Sequence, residues 1–396
     1  MINIFNKFYS SNEYAYTKTP LYSLIYSSNK NPAYSITRDA RNRCIIFVHV
    51  DVVDNVDDDM LDDVIVNYKK CKGNKIIVDT SLEEFVKEPY YHCVDYLVNN
   101  GVDHDDINIL AGQTATSLFV NDYKIPFTTF SINTFETAYY NHLANFDMEF
   151  DFLERPEIKP RKIDRYFTSL TKNARFIRKV FHAFMVQKNY IEGNVYSFHN
   201  IGATPFNHYD LGWAKRFNLI NDGISDEQWL AEVSSPYYVD DIDFVGEWNF
   251  NDEVSTTGIN LTHETHAFVD MAGIKLNKIE IFDRVFLTEK TYKNFYHGLP
   301  YLSPGIPRQS SYIQQLGYRS FESLFNTTID NTGYISCFMS YFGLIDEIMG
   351  MKLEHLEQVI NSEECLDKIR HNQEVFFEQN EFKKLVSILE TIVDKY

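Results

Sequence analysis

Four short apolar runs constrain the fold of this chain more than any other feature of its sequence. They cover residues 44–50, 75–79, 107–111 and 126–132. Each has the length of a buried strand, and segments with apolar residues at helical spacing separate the first three. Buried strands that alternate with helices are typical of a parallel sheet with helices on both faces. We therefore predict a Rossmann-like α/β domain over residues 1–155, in which residues 1–40 show no periodicity and receive no role.

A second set of strand and helix signals follows a charged, proline-bearing linker at 154–160. The predicted elements are strands at 166–170 and 259–266, a helix at 226–233, a turn, helix and short strand from 288 to 302, and helices around 335–350, 352–372 and 378–395. They predict a second α/β domain over 160–335 and C-terminal helices over 336–396 that pack back on the domains. Ligands of open parallel sheets bind beyond the carboxyl ends of the strands, so we expect a site in a cleft that both domains face.

Composition limits the classes of partner. The 396 residues carry 37 basic and 56 acidic side chains, a net charge of −19, which repels nucleic acid in general but leaves room for a local basic groove. No apolar run approaches the roughly 20 residues of a membrane span, and the first residues lack the pattern of a signal peptide. The five cysteines form no CxxC pair. We expect a cytoplasmic protein without a membrane partner.

The segment that begins at Thr288 has the chemistry of an anion site. Hydroxyls, a carboxylate and an amine stand together at a predicted helix start, in Thr288, Glu289, Lys290 and Thr291. Helix N-termini favour phosphate because their amides and their dipole attract negative charge. A capped surface helix with Thr288 as N-cap is the alternative interpretation.

A basic cluster is the second candidate anion site. Seven positive side chains lie within about 20 residues of this acidic chain: Arg161, Lys162, Arg165, Lys172, Arg175, Arg178 and Lys179. Lys172, Asn173 and Arg175 fall at a strand-to-helix turn, where phosphate binding is favoured. A solvated helix face is the alternative.

Carboxylates at predicted strand ends are candidates for a general base that faces the cleft, namely Asp51, Asp79 and Glu83. Metal sites have weaker support. His263 and His266 would point to opposite faces of a strand. Asp241 and Asp243 form a DxD pair, which can hold a metal ion but also occurs often by chance in an acidic chain.

The residues from Thr288 to Pro300 resemble the T-E-K-x-x-x-N…G-x-P donor-binding signature of the alpha-1,3-fucosyltransferases. They are more similar still to the T-E-K-T-x-K…G-x-P signature of glycosyltransferases from phages, large viruses and marine bacteria. The segments 167–178 and 315–322 and the carboxylate Glu264 also resemble that pattern. Asn294 stands where the viral set has Pro, and His297 stands where a small residue is usual.

This resemblance implies a GT-B architecture, with two Rossmann-like domains and a C-terminal domain that binds the nucleotide-sugar. By position, Lys290 and Arg175 would neutralise the diphosphate, Glu289 would hold the ribose and Glu264 would face the sugar. The implied donor-binding set is Lys172, Asn173, Arg175, Arg178, Glu264, Thr288, Glu289, Lys290, Thr291 and Lys293.

The resulting hypothesis is a metal-independent glycosyltransferase that uses a UDP- or GDP-linked sugar and needs no further cofactor. Hydroxymethylated pyrimidine in phage DNA is one candidate acceptor, which would place the protein in the cytoplasm of an infected host. A glycan or a protein is the other candidate. The rival classes are a non-catalytic nucleotide-sugar-binding protein and a metal-dependent enzyme that uses Asp241 and Asp243.

Overall fold

The computed structural model divides the chain into two compact units, one formed by Met1–Leu153 with Glu378–Tyr396 and the other by Glu154–Phe377. The residues that the structure describes are 2–7, 9, 19–27, 33–41, 43–50, 57–81, 87–112, 127–133, 136, 138–140, 155–171, 176–198, 206–221, 223–234, 252–263, 287–303, 309–330 and 333–394.

The first unit is built on a parallel sheet whose strands alternate with helices. Its elements in chain order are β1 (Ile2–Phe5), α1 (Pro20–Ser27), β2 (Tyr34–Thr37), β3 (Ile45–His49), α2 (Asp58–Tyr68), β4 (Lys75–Thr80), α3 (Lys87–Asn99), β5 (Ile107–Gly112) and β6 (Thr128–Ile132). The four strands predicted from the apolar runs are confirmed as β3, β4, β5 and β6. The acidic run begins α2, where the Asp57 side chain accepts a hydrogen bond from the Asp59 amide and caps the helix.

The six strands of this sheet lie in the order β2-β1-β3-β4-β5-β6. All of the pairings are parallel; Ile4 of β1, for example, pairs with Ile36 on one side and with Ile45 on the other. The N-terminal segment, to which the sequence assigned no role, therefore supplies an interior strand. Its strands are only four residues long, which is too short for a clear periodicity.

The second unit and the chain terminus are richer in helix. Their elements are β7 (Arg165–Thr171), α4 (Phe176–Lys188), β8 (Val195–Phe198), α5 (His208–Arg216), α6 (Asp226–Ser234), α7 (Asp252–Ser255), β9 (Thr257–Leu261), α8 (Glu289–His297), β10 (Tyr301–Leu302), α9 (Gln309–Gln315), α10 (Tyr334–Gly350), α11 (Leu353–Ile360), α12 (Glu363–Phe377) and α13 (Asn380–Asp394). The four strands form a parallel sheet in the order β10-β9-β7-β8.

Two of the predicted elements need correction. The single helix predicted at 352–372 is two helices, α11 and α12, which are separated at Asn361 and Ser362. The Asn361 side chain leaves the helix pattern to bond both backbone groups of Arg161, and the Ser362 hydroxyl caps the next helix through the Cys365 amide. The strand predicted at 259–266 is shorter, because β9 ends at Leu261. The helix start predicted at 80–83 falls partly outside the described residues, which end here at Ser81, and Thr80 itself is the last residue of β4.

Helices cover both faces of the sheet in the first unit. One buried cluster joins α2 and α3 to strand residues such as Ile46, Val78 and Ile109. The other joins α1 and α13 to Phe47 and Ile77, which alternate with the first set along their strands. The C-terminal helix α13 therefore completes the core of the N-terminal sheet. The chain is an α/β protein with two parallel sheets.

No helix in the described part of the chain is long and apolar enough to cross a membrane.

Candidate functional site

The candidate site lies at the carboxyl edge of the sheet in the second unit. The chain leaves β7 towards β8 on one side and later returns to place β9 on the other side. Such a reversal of strand order opens a crevice at the carboxyl ends, where ligands of open α/β sheets bind. Because α4 and α8 each connect parallel strands, both run antiparallel to them, and their N-termini lie at this same edge.

Thr288 caps the N-terminus of α8, as the alternative interpretation of the sequence held. Its backbone is extended (φ −113°, ψ −176°), and its hydroxyl accepts a hydrogen bond from the Lys290 amide. The Lys290 ammonium also lies 3.2 Å from this hydroxyl oxygen, and the Thr291 amide donates to the Thr288 carbonyl. The amine, the cap and the positive end of the helix dipole are therefore concentrated at one point. Thr291 is buried and Lys293 is half-buried. The side chain of Glu289 lies outside the described residues.

Asn294 fixes α8 against the sheet. Its Nδ2 donates to the Thr262 hydroxyl (2.9 Å) and to the Lys290 carbonyl, and its Oδ1 accepts from Asn260 Nδ2 (2.5 Å). The side chain is only 1% exposed. The viral signature has Pro at this position. Proline has no side-chain donor or acceptor and cannot make these bonds, so Asn is the better suited residue here.

The other end of α8 is closed by Gly298 in the left-handed conformation (φ +66°). A Cβ at this position would lie 2.2 Å from Ile158 Cδ1 and 3.2 Å from Ile369 Cγ2, so the close approach here is to protein side chains. The preceding His297 is largely buried, and desolvation, with a smaller contribution from the charge of Lys293, lowers its pKa to about 4. Its imidazole is neutral at neutral pH.

Arg178 lies in the first turn of α4, at the point where the strand order reverses. It is 5% exposed, and its Nη2 donates to the His263 carbonyl at 3.2 Å. His263 is the second residue after β9, with its Nε2 3.2 Å from the Ser169 hydroxyl and its ring centroid 4.2 Å from that of Phe181. The buried guanidinium therefore lies at the carboxyl edge between β7 and β9.

Two further members of the basic cluster are engaged within the unit. Lys179 is buried and pairs with Asp210 at 3.2 Å, and Arg161 donates to the Gly258 carbonyl. Burial lowers the pKa of Arg161 to about 10, which leaves the guanidinium charged at neutral pH. These two cations serve the packing of the unit. Lys172, Asn173, Arg175 and Glu264 lie outside the described residues.

Sequence reasoning missed Ser303 and Gln309, which follow β10 at the same edge. Gln309 Nε2 donates to Ser303 Oγ (2.6 Å), and Ser303 Oγ donates to the Thr262 carbonyl (3.0 Å). Both side chains are 2% exposed. The sequence could have indicated Ser303, because it is a polar residue directly after a predicted strand. Gln309 could not be found in this way, because only the tertiary fold brings it next to Ser303.

In the first unit, the candidate base Asp79 is buried and fully engaged. It is 1% exposed, Oδ2 lies 3.2 Å from His49 Nδ1, and Oδ1 accepts from the amide and the hydroxyl of Ser81. A carboxylate held this way orients its neighbours, and we do not assign it the role of the base. Asp51 and Glu83, the other two candidates, lie outside the described residues.

Among the described residues, no group of three or more His, Cys, Asp or Glu side chains could hold a metal ion. The alternative ligands Asp241, Asp243 and His266 lie outside them.

Comparison of the chain with protein-family models, with curated proteins and with solved structures gave no match. Fold and site together define an α/β protein with a polar, cationic carboxyl edge in its second unit.

Proposed function

We propose that the carboxyl edge of the second unit binds the diphosphate of a UDP- or GDP-linked sugar, and that the protein is a glycosyltransferase. The observation that carries this proposal is the N-terminus of α8, where Thr288 and Lys290 meet the helix dipole and Asn294 holds the helix against β9. Arg178 adds a second cation in the first turn of α4. A GT-B architecture, as the resemblance implies, is part of this proposal.

In the proposed reaction, the bond between the anomeric carbon and the diphosphate oxygen breaks, and an acceptor hydroxyl oxygen bonds to that carbon. The hydroxyl proton passes to a base, and the electron pair of the broken bond stays on the diphosphate. Lys290, Arg178 and the dipole of α8 stabilise this charge electrostatically, as do the predicted contacts of Lys172 and Arg175. Glu289 and Glu264 keep the ribose and sugar contacts that the resemblance implies. Asp51 and Glu83 stay candidates for the base.

Two classes of acceptor fit this chemistry, hydroxymethylated pyrimidine in phage DNA and a glycan or protein. The net charge of −19 mildly favours the second class. The first class would place the reaction in the cytoplasm of an infected host. Supplying glucose, arabinose and fucose donors with modified duplex DNA, followed by mass measurement of the bases, separates the two. If no donor shifts a base mass, DNA is eliminated as the acceptor.

The test of the proposal itself compares Lys290→Ala with Lys215→Ala in a panel of UDP- and GDP-sugars. Loss of a charge-assisted contact to the leaving diphosphate is expected to lower turnover by about 10²–10³-fold. Lys215 is a matched control because it lies in the last turn of α5, more than half exposed, and pairs only with Asp226 among the described residues. Its loss should leave turnover unchanged.

Normal turnover and normal nucleotide affinity of Lys290→Ala would exclude this edge as the donor site. Donor binding by calorimetry with neither transfer nor slow hydrolysis would favour a non-catalytic nucleotide-sugar-binding protein instead.

A further inference from the structure

The end of β10 carries a buried amide whose orientation can be deduced. Ser303 Oγ lies 3.0 Å from the Thr262 carbonyl oxygen, which can only accept a hydrogen bond, so the single hydroxyl proton of Ser303 is directed there. Ser303 Oγ must then accept from Gln309, at 2.6 Å. The nitrogen of the Gln309 amide therefore faces Ser303, and its oxygen, Oε1, points away from it.

Gln309 Oε1 is a buried acceptor that has no partner within the described part of the chain. The side chain is 2% exposed, and none of the donors that the structure describes lies within hydrogen-bond distance of this oxygen. Buried carbonyl oxygens in folded proteins are nearly always hydrogen-bonded, and an exception calls for a ligand or a water molecule as the missing donor.

This acceptor belongs to the same network as the proposed anion site. Gln309 bonds to Ser303, Ser303 bonds to Thr262, and the Thr262 hydroxyl accepts from Asn294 of α8. The chain of bonds runs from the end of β10 to the helix whose N-terminus carries Thr288 and Lys290. Gln309 and the N-terminus of α8 therefore both lie at the carboxyl edge of the same sheet.

We infer that Gln309 Oε1 accepts a hydrogen bond from the nucleoside part of the donor, through a ribose hydroxyl or a base N–H. This inference rests on the proposed function. The nucleoside is favoured over the transferred sugar because the sugar must be open to its acceptor.

The experiment measures the binding of UDP, GDP and inorganic pyrophosphate by calorimetry to the wild-type protein and to Gln309→Met. We expect the variant to bind at least one nucleoside diphosphate about tenfold more weakly, because a ligand donor would be left without its acceptor. Pyrophosphate, which lacks the nucleoside, should bind with unchanged affinity. The matched control is Gln314→Met, the same substitution on the exposed face of α9, where affinity should not change.

Deoxynucleotides separate the two possible donor groups. If a ribose hydroxyl bonds to Gln309, the tenfold effect of Gln309→Met disappears with the analogue that lacks that hydroxyl, and if the base does so, the effect persists. Ser303→Ala, which releases the amide from its fixed orientation, should weaken nucleoside diphosphate binding by a smaller factor and leave pyrophosphate unaffected.

Equal affinities of wild type and Gln309→Met for UDP and GDP would overturn the inference, as would equal weakening of nucleotide and pyrophosphate. An effect confined to nucleotide-sugars would also overturn it, since it would assign the contact to the sugar. Failure of the wild-type protein to bind any nucleotide would instead refute the proposed function.

Discussion

Asn294 is the residue that links the packing of α8 to its proposed function. Its amide nitrogen donates a hydrogen bond to the Thr262 hydroxyl, and its amide oxygen accepts one from Asn260 of β9. A hydrophobic residue of the same size would leave two buried polar partners unsatisfied. The position therefore demands a side chain with separate donor and acceptor atoms, and Asn is the smaller of the two amide residues that supply both.

We predict that Asn294→Leu destabilises the second unit by about 1–3 kcal/mol, the typical cost of buried polar groups that lose their partners. Tryptophan fluorescence during urea unfolding reports this unit specifically, because Trp213, Trp229 and Trp248 all belong to it. Asn221→Leu, at an exposed position of the same unit, is the control and should cost less than about 0.5 kcal/mol. Equal stability of the two variants would show that the Asn294 bonds contribute nothing.

At the scale of elements, α8 is defined by one residue at each end. Thr288 caps its start, and Gly298 ends it with a positive φ. What the sequence did not show is the contact of Gly298 with Ile158 and Ile369, which belong to segments far away in the chain. The glycine is needed for its backbone angle and also for its lack of a side chain.

We predict that Gly298→Ala destabilises the second unit more than Gly193→Ala does. Both glycines have a positive φ, so both substitutions incur the left-handed strain of roughly 1–2 kcal/mol. Only at Gly298 would the added Cβ clash with neighbouring side chains, since a Cβ at Gly193 would meet nothing within 4 Å. Overpacking should add roughly 1–3 kcal/mol. The same fluorescence measurement checks this, and equal losses would mean that Ile158 moves aside without cost.

On the scale of the whole molecule, the second unit contains two buried histidines that resist protonation. Desolvation lowers the pKa of His182 to about 3, and desolvation with a smaller contribution from Lys293 lowers that of His297 to about 4. Below pH 6.5 these histidines take up protons in the unfolded chain before they do so in the folded one. Acid therefore favours unfolding of this unit, and the effect grows as the pH falls towards the folded pKa values.

We expect the melting temperature followed by tryptophan fluorescence to fall as the pH is lowered from 7 to 5. His297→Gln should reduce the slope of this fall, because one of the two groups no longer titrates. His355→Gln is the matched control, the same substitution at an exposed histidine on α11 of the same unit. Identical slopes for the three proteins would assign the pH dependence to other groups.

The sequence by itself determined the α/β class, four strands of the first sheet and the capped start of α8. These features depend on local apolar runs and on helix capping, and both can be recognised from residues that are adjacent in the sequence. It could not place β1 and β2, whose four residues each are too few for a pattern, or show that Asp79 is held by His49 and Ser81. Only the tertiary structure decided that α13 covers the N-terminal sheet and that Gln309 meets Ser303 beside Thr262. The physical reason is that burial and hydrogen-bond satisfaction depend on residues brought together by packing, and the sequence does not record those distances.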